Sequence, residues 1–147
     1  MEEDRILLGY KKRGFGGNRW NGFGGKVEEG ESIEEAAKRE ALEECSLEIL
    51  SLEKRAIHTF SFQDKEDILE VHTFWVNRWI GEPQETEEMR PQWFAHKDIP
   101  YPAMWPDDEI WLPDFLEGKY LKTKFLFGEN DCVLQYDVQI VPKKKYN

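Results

Sequence analysis

The sequence predicts an α+β fold in which a mixed β-sheet lies between α-helices. Two observations lead there. Strand-type and helix-type patterns run in the order strand, helix, several strands, helix, two strands, which assembles into layers of helix on mixed sheet. At 147 residues the chain is long enough to bury one core, so residues 1–147 are expected to form a single domain.

Taken in order, Ile6-Leu7-Leu8 reads as a short strand. A basic, glycine-rich stretch follows, Lys11-Lys12-Arg13-Gly14-Phe15-Gly16-Gly17, and then Gly22, Gly24 and Gly25. That density implies tight backbone that approaches something closely. Ser32 with Glu35 three positions later is the capping-box spacing, and it opens a helix expected over Ile33 to Cys45. Leu47 to Phe62 and Ile68 to Trp79 carry the β-branched and aromatic residues of strands. Gly81 to Glu88 is a polar turn region, and Gln92-Trp93-Phe94 a short strand. Pro100, Pro102, Pro106 and Pro113 punctuate a loop and the start of a second helix near Glu109 to Leu116. Thr123 to Phe127 and Val133 to Val141 form a closing hairpin around residues 128–131. In its second strand Leu134, Tyr136, Val138 and Ile140 alternate with polar residues, so the polar face is expected to be wet. No internal repeat or low-complexity linker interrupts the chain.

Composition narrows the function. Charged residues make up 34% and hydrophobic ones 39%, the balance of a soluble globular protein. Aromatics reach 14% with six Trp, enough for some rings to line a flat-ligand pocket while most fill the core. A net charge of −10 argues against a nucleic-acid polymer, whose phosphates demand a basic face. A single nucleotide delivered with its metal remains compatible. Cys45 and Cys132 stand far apart in no metal-ligand spacing, which fits a reducing compartment. The acidic N-terminus has no signal-type apolar region behind it, and no apolar run approaches the ~20 residues that span a bilayer. The expected setting is the cytoplasm.

The sharpest signal is acidic. At roughly 100° per residue, Ile33, Ala36, Ala37 and Leu47 share one stripe of the first helix, which should be dry. Glu40 and Glu44 lie inside that stripe and Glu43 at its edge. Three neighbouring carboxylates repel each other, and burying them unpaired costs several kcal/mol. A hard divalent cation removes both problems, and Mg²⁺ prefers carboxylate oxygens together with substrate phosphates. The pattern therefore points to a metal-assisted reaction on a phosphorylated substrate.

The segment from Gly25 to Leu47 resembles the Nudix box, in which a glycine, a glutamate and an R-E-U-x-E-E-x-G-U run recur at fixed spacing (U is a bulky aliphatic residue). Gly25, Glu31, Arg39, Glu40, Glu43, Glu44 and Leu47 all fall on it. Two positions depart: Ala41 replaces a larger aliphatic, and Ser46 replaces the glycine that ends the helix. If that position needs positive φ, Ser is strained there by roughly 1 kcal/mol. Further similarity, at Lys11 to Gly16, Arg19 to Lys26, Glu88 to Pro91 and Met104-Trp105-Pro106-Asp107-Asp108, is to the animal branch of the Nudix hydrolase superfamily that acts on oxidised purine nucleoside triphosphates. It runs from about Arg5 to Val141. That branch carries a further first strand, with a substrate-contacting Thr, before the region matching Ile6. This chain begins too late to supply that strand, so Met1 to Leu8 would have to replace it.

The resemblance implies a Nudix fold and a Mg²⁺-dependent pyrophosphohydrolase (Mn²⁺ a substitute), acting as a monomer on substrates of the 8-oxo-dGTP and 2-hydroxy-dATP type to give monophosphate and pyrophosphate. Nuclear and mitochondrial pools are compatible sites besides the cytoplasm. Glu40, Glu43 and Glu44 would hold the metal with the Gly24 carbonyl and Glu88, and Glu44 or Glu43 would orient or deprotonate the attacking water. The plain alternatives are a solvated acidic helix face and, for Glu88, a surface loop acid. Arg39 would pair with a box glutamate in a two-pronged contact; an ordinary surface ion pair is the alternative. Lys11 and Lys26 would meet phosphate oxygens, or be simply exposed. Asp107 and Asp108 would read the purine edge, sharing one proton so that one pocket takes an oxidised guanine or an oxidised adenine; capping of the second helix is the alternative. Trp105, beside Pro106, would stack on the base, and Asn21 would add hydrogen bonds. Phe15, Phe60, Phe62, Leu69, Met89, Trp111 and Phe127 would wall the pocket or pack the core, and Phe23, Gly24 and Gly25 would line the approach. His58, His72 and the Lys143-Lys144-Lys145 tail read as structural or solvated. Rival functions are a Nudix enzyme for another pyrophosphate, such as a dinucleoside polyphosphate or a nucleotide sugar, and a module that binds nucleotide without turnover.

Overall fold

A computed structural model describes residues 4–15 and 17–146. Met1 to Glu3, Gly16 and Asn147 lie outside the described residues, and with them part of the acidic N-terminus and one glycine of the basic stretch. By their contacts the residues divide into two units, Met1–Leu52 with Val76–Trp105, and Glu53–Trp75 with Pro106–Asn147.

The first unit is built on a three-stranded antiparallel sheet. Strand β1 is Arg5–Lys11 and β2 is Arg19–Asn21. Helix α1, Ile33–Cys45, follows, with the bounds the capping box predicts. Strand β3, Glu48–Phe62, begins in this unit and continues into the other, and strand β4, Lys65–Ile80, begins in the other and ends here. Strand β5, Met89–Ala95, returns to pair with β1, so the order is β2-β1-β5. Register places Tyr10 opposite Trp20 on one side and Arg90 on the other. The Tyr10 and Trp20 rings meet edge-on at 5.5 Å, with the Arg90 guanidinium over both. Ile6 and Leu8 of β1, Met89 of β5 and Ala36, Ala41 and Cys45 of α1 are buried. Gly9 is where backbone must come close: a Cβ there would stand 2.8 Å from the Phe23 ring and 3.0 Å from Met89.

The second unit holds helix α2, Asp108–Leu116, and strands β6, Tyr120–Phe127, and β7, Val133–Val141. The mixed sheet the sequence predicts is here, in the order β4-β3-β6-β7. Strand β3 runs parallel to β6, with His58 opposite Thr123, Phe60 opposite Phe125 and Phe62 opposite Phe127. Strand β7 is antiparallel to β6, with a register shift at Leu126/Phe127. Side chains alternate faces along a strand, so His58, Phe60 and Phe62 share a face. Trp111, Leu112 and Phe115 are the buried side of α2, which packs on β6.

Three expectations need correction. Ile33 is 36% exposed; the dry side of α1 begins at Ala36 and takes in Ala41 and Cys45, because α1 turns that side to β5. The alternation on β7 is real, but Leu134, Tyr136 and Ile140 of its apolar row are exposed, since β7 is the outermost strand of its sheet. And besides the mixed sheet there is a second one, whose β2 hides in the glycine-rich stretch.

Candidate active site

The acids of the first unit are placed by the two ends of α1. At its start the Ser32 hydroxyl accepts from the Glu35 N–H while the Glu35 carboxylate accepts from the Ser32 N–H. At its end Ser46 sits at φ 65°, ψ 23°, and its N–H returns to the Leu42 carbonyl. The left-handed conformation that a glycine would meet without strain is thus imposed on a serine.

Between these ends the three glutamates take different roles. Glu44 is 8% exposed, and its carboxylate accepts from the Gly24 N–H at 2.9 Å. Burial pushes its pKa up to about 7, with Glu40 and Glu88 raising it further while the Gly24 N–H and Lys11 oppose. Glu40 lies against the neighbouring backbone: a Cβ on Gly25 would come within 2.5 Å of its carboxylate. Only a glycine leaves room for an acid there. Glu43 points outward and is 59% exposed.

Arg39 organises this face. Its Nε and Nη2 donate to the two oxygens of Glu31 at 2.7 and 3.1 Å, the fork that guanidinium geometry favours. Nη1 donates to Glu40 at 2.9 Å and Glu43 at 3.2 Å, and Nη2 also to the Lys26 carbonyl at 3.1 Å. These partners lower the Glu31 pKa and raise that of Arg39. Lys11 Nζ donates to the Phe15 carbonyl at 2.6 Å. Lys26 is exposed.

Glu88 accepts from Arg13 at 2.9 Å. Its loop is tied to α1 by Thr86, whose hydroxyl donates to the Glu44 carbonyl at 2.9 Å and accepts from the Glu88 and Met89 N–H groups. Thr86 does not stand out in the sequence, since a threonine in a polar loop carries no spacing signal.

The predicted metal ligands therefore share one electrostatic neighbourhood without reaching coordination spacing. Among the described residues no three acidic, imidazole or thiol groups stand close enough to hold a metal ion. The reason is visible in the partners: Glu40 and Glu43 are drawn to Arg39, and Glu88 to Arg13. The donor set nevertheless fits a hard cation. It offers carboxylate oxygens beside the 24–25 backbone, and one acid, Glu44, that burial and like charge leave short of compensation.

The predicted base-binding residues divide between the units. In the first, the Trp105 ring lies 5.2 Å from Phe15 and under the Arg19 guanidinium at 4.3 Å. Asn21 donates to the Arg19 carbonyl at 2.9 Å, and Met89 is fully buried. In the second, Asp107 is 3% exposed and its carboxylate accepts from Trp111 Nε1 at 2.8 Å. It stands at the N-cap position of α2, where its side chain makes no capping bond. Pro106 and Asp108 are half-buried on either side. Phe60 meets Phe125 at 6.0 Å and Phe127 at 5.5 Å, and Phe62 meets Phe127 at 5.7 Å. Leu69 is 37% exposed.

Comparison with known proteins bears on the family and the fold. The NUDIX domain model matches residues 1–115. The oxidized purine nucleoside triphosphate hydrolase of Mus musculus is 47% identical over 141 residues, covering 96% of this chain and 90% of that protein. Its namesake from Danio rerio is 44% identical over the same coverage. Among solved structures, a MutT protein of Bacillus halodurans superposes with a TM-score of 0.83 at 26% identity, covering 95% of this chain and 92% of that one. By the family match, the length of the similarity and the fold, the chain belongs to the NUDIX domain family.

Proposed function

We propose that this protein is a Mg²⁺-dependent pyrophosphohydrolase that converts oxidised purine nucleoside triphosphates to the monophosphate and pyrophosphate, cleansing the nucleotide pool, and that the whole chain serves this one activity. The observation that carries the proposal is Glu44. A carboxylate that is buried, held by a backbone N–H and surrounded by like charge is a poor structural choice and a good base or metal ligand. The names of the mouse and zebrafish relatives supply the substrate class.

Glu40, Glu43 and Glu44, the Gly24 carbonyl and Glu88 would hold the cation. When bound, it neutralises triphosphate charge and lowers the pKa of water. Glu44 would orient the attacking water and take its proton. Arg39 keeps Glu31, Glu40 and Glu43 in register. Lys11 and Lys26 meet phosphate oxygens, Trp105 stacks on the base, Asn21 bonds it, and Asp107 and Asp108 read its edge. No helix of the described residues is long and apolar enough to cross a membrane, and we place a monomer in the cytoplasm.

The test is pyrophosphate release from 8-oxo-dGTP, 2-hydroxy-dATP, dGTP, a dinucleoside polyphosphate and a nucleotide sugar, with Mg²⁺ and with chelator. Turnover of the oxidised purines alone, abolished by chelator, is expected. Equal turnover of dGTP, or preference for a diphosphate-bridged substrate, defeats the proposal.

A further inference from the structure

Thr86 joins two of the proposed metal ligands, yet the chemistry described above gives it no part. Its hydroxyl donates to the Glu44 carbonyl at 2.9 Å and accepts from the Glu88 and Met89 N–H groups, each at 3.3 Å. A hydroxyl has one proton and two lone pairs, so all three are used. The Glu44 carbonyl belongs to the last turn of α1, where carbonyls lack a partner within the helix. Glu88 stands near enough for its charge to raise the Glu44 pKa. The loop does not need the hydroxyl to stay attached. The Gln84 N–H donates to the Cys45 carbonyl, the Thr86 N–H to the Met89 carbonyl and the Lys12 N–H to the Glu88 carbonyl, each at 2.9 Å. Lys12 Nζ donates to the Thr86 carbonyl at 2.8 Å. Those bonds fix the course of the backbone; the hydroxyl adds a direct link between the residues that bear the two acids.

We propose that Thr86 is a positioning residue of the metal centre, whose hydroxyl sets the separation of Glu44 and Glu88 and so holds the loop acid within reach of a cation on the helix acids. This rests on the function proposed above. The Glu88 carboxylate is exposed and paired with Arg13 at 2.9 Å, so it must turn from the guanidinium to serve a cation. On a backbone already fixed, that turn costs only side-chain freedom. On a loose loop it would cost backbone freedom as well. Thr suits the task because its branched Cβ restricts χ1, which keeps the hydroxyl aimed. Groups that orient ligands from behind are typically worth 10–100-fold in metal affinity. The competing role is plain capping of the α1 end, which asks nothing of the Glu88 side chain.

The experiment uses the full chain and Mn²⁺ alone, with uptake read from the electron paramagnetic resonance of free Mn²⁺, so that no turnover is needed. Thr86→Val is expected to raise the Mn²⁺ Kd about 10-fold, and Thr86→Ser, which keeps the hydroxyl, to recover most of that loss. In a Glu88→Gln background the same Thr86→Val change is expected to move Kd by less than about 2-fold, because the acid it holds is gone. A Kd unchanged by Thr86→Val overturns the inference. So does an equal loss with and without the Glu88 carboxylate, the result that capping alone would give. Where Thr86→Val fails to fold, a Mg²⁺ titration of the ¹⁵N-labelled parent decides. The Thr86 and Glu88 amide signals are expected to move with that of Glu44 at one midpoint; signals that stay fixed while Glu44 moves overturn the inference. A parent that releases pyrophosphate from oxidised triphosphates but takes up no Mn²⁺ alone overturns this inference and leaves the hydrolase reading standing. If it does neither, the hydrolase reading itself fails and this inference falls with it.

Discussion

Replacing Glu44 with Gln should make the metal-free protein more stable while removing its activity. The folded carboxyl has its pKa raised from 4.5 to about 7. A raised acid pKa means the folded state retains a proton that the unfolded chain has released. Stability is therefore full below about pH 4.5, falls as pH rises to about 7, and stays low above that. Each pKa unit is worth about 1.4 kcal/mol, which sets a ceiling of about 3 kcal/mol; allowing for relaxation around a single buried acid, about 2 kcal/mol is expected. Gln is neutral at every pH and its Oε1 still accepts from the Gly24 N–H. In chelator at pH 8, Glu44→Gln should gain about 2 kcal/mol by denaturant titration, or roughly 4–8 °C in Tm for a chain of this size. At pH 4.5 the advantage should vanish. With Mg²⁺ and substrate the same variant should lose at least ~100-fold in kcat. A variant no more stable than its parent at pH 8 would refute the account of Glu44 as an uncompensated buried acid, whatever its activity.

Other outcomes follow from single residues. His58 has its pKa lowered to about 3, by burial first and by His72 second; a depressed base contributes fully above pH 6.5 and loses stability as pH falls. Between pH 7 and pH 5 the parent should lose about 2 kcal/mol more than His58→Gln, and parallel curves would contradict this. Ser46→Gly should relieve the strain at φ 65° and stabilise by about 0.5–1 kcal/mol with kcat unchanged, the glycine's greater freedom in the unfolded chain offsetting part of the gain; a lower Tm would argue against strain there. Asp107→Asn keeps an acceptor for Trp111 Nε1–H but can no longer share a proton with Asp108. It should shift the preference between 8-oxo-dGTP and 2-hydroxy-dATP by about 10-fold, and an unchanged ratio would refute base reading at that position.

Much of this was legible in the chain. Helix α1 runs over the predicted residues because its capping box is local chemistry, satisfied within four positions of Ser32. The conditional strain at Ser46 also followed from sequence, since the helix-ending position is set by backbone geometry alone. Strand β2 was not legible: three residues amid glycines carry no period. Nor was the true dry face of α1, since Ile33 belongs to the apolar stripe by angle yet only the side toward β5 is covered. The partners of Thr86 and His58 were invisible for a different reason: they are a Glu44 carbonyl and a Thr123 hydroxyl, across 42 and 65 positions of chain.

The three box glutamates are alike in sequence and unlike in charge balance, and Arg39 makes the difference. Its guanidinium donates to Glu31, Glu40, Glu43 and the Lys26 carbonyl and pairs with Glu28 at 3.8 Å, so one positive charge serves four carboxylates. Glu44 receives no share of it; its compensation is a backbone dipole from Gly24 and a more distant Lys11. A divalent cation entering here must compete with Arg39 for Glu40 and Glu43, but among the described residues meets no rival cation bonded to Glu44. Cation affinity should therefore follow the ionisation of Glu44, rising with pH toward and through about 7, because each Glu44 proton retained is a charge the cation must displace. The cost of keeping that acid buried in the metal-free protein and the affinity it lends to the metal are two sides of the same uncompensated charge.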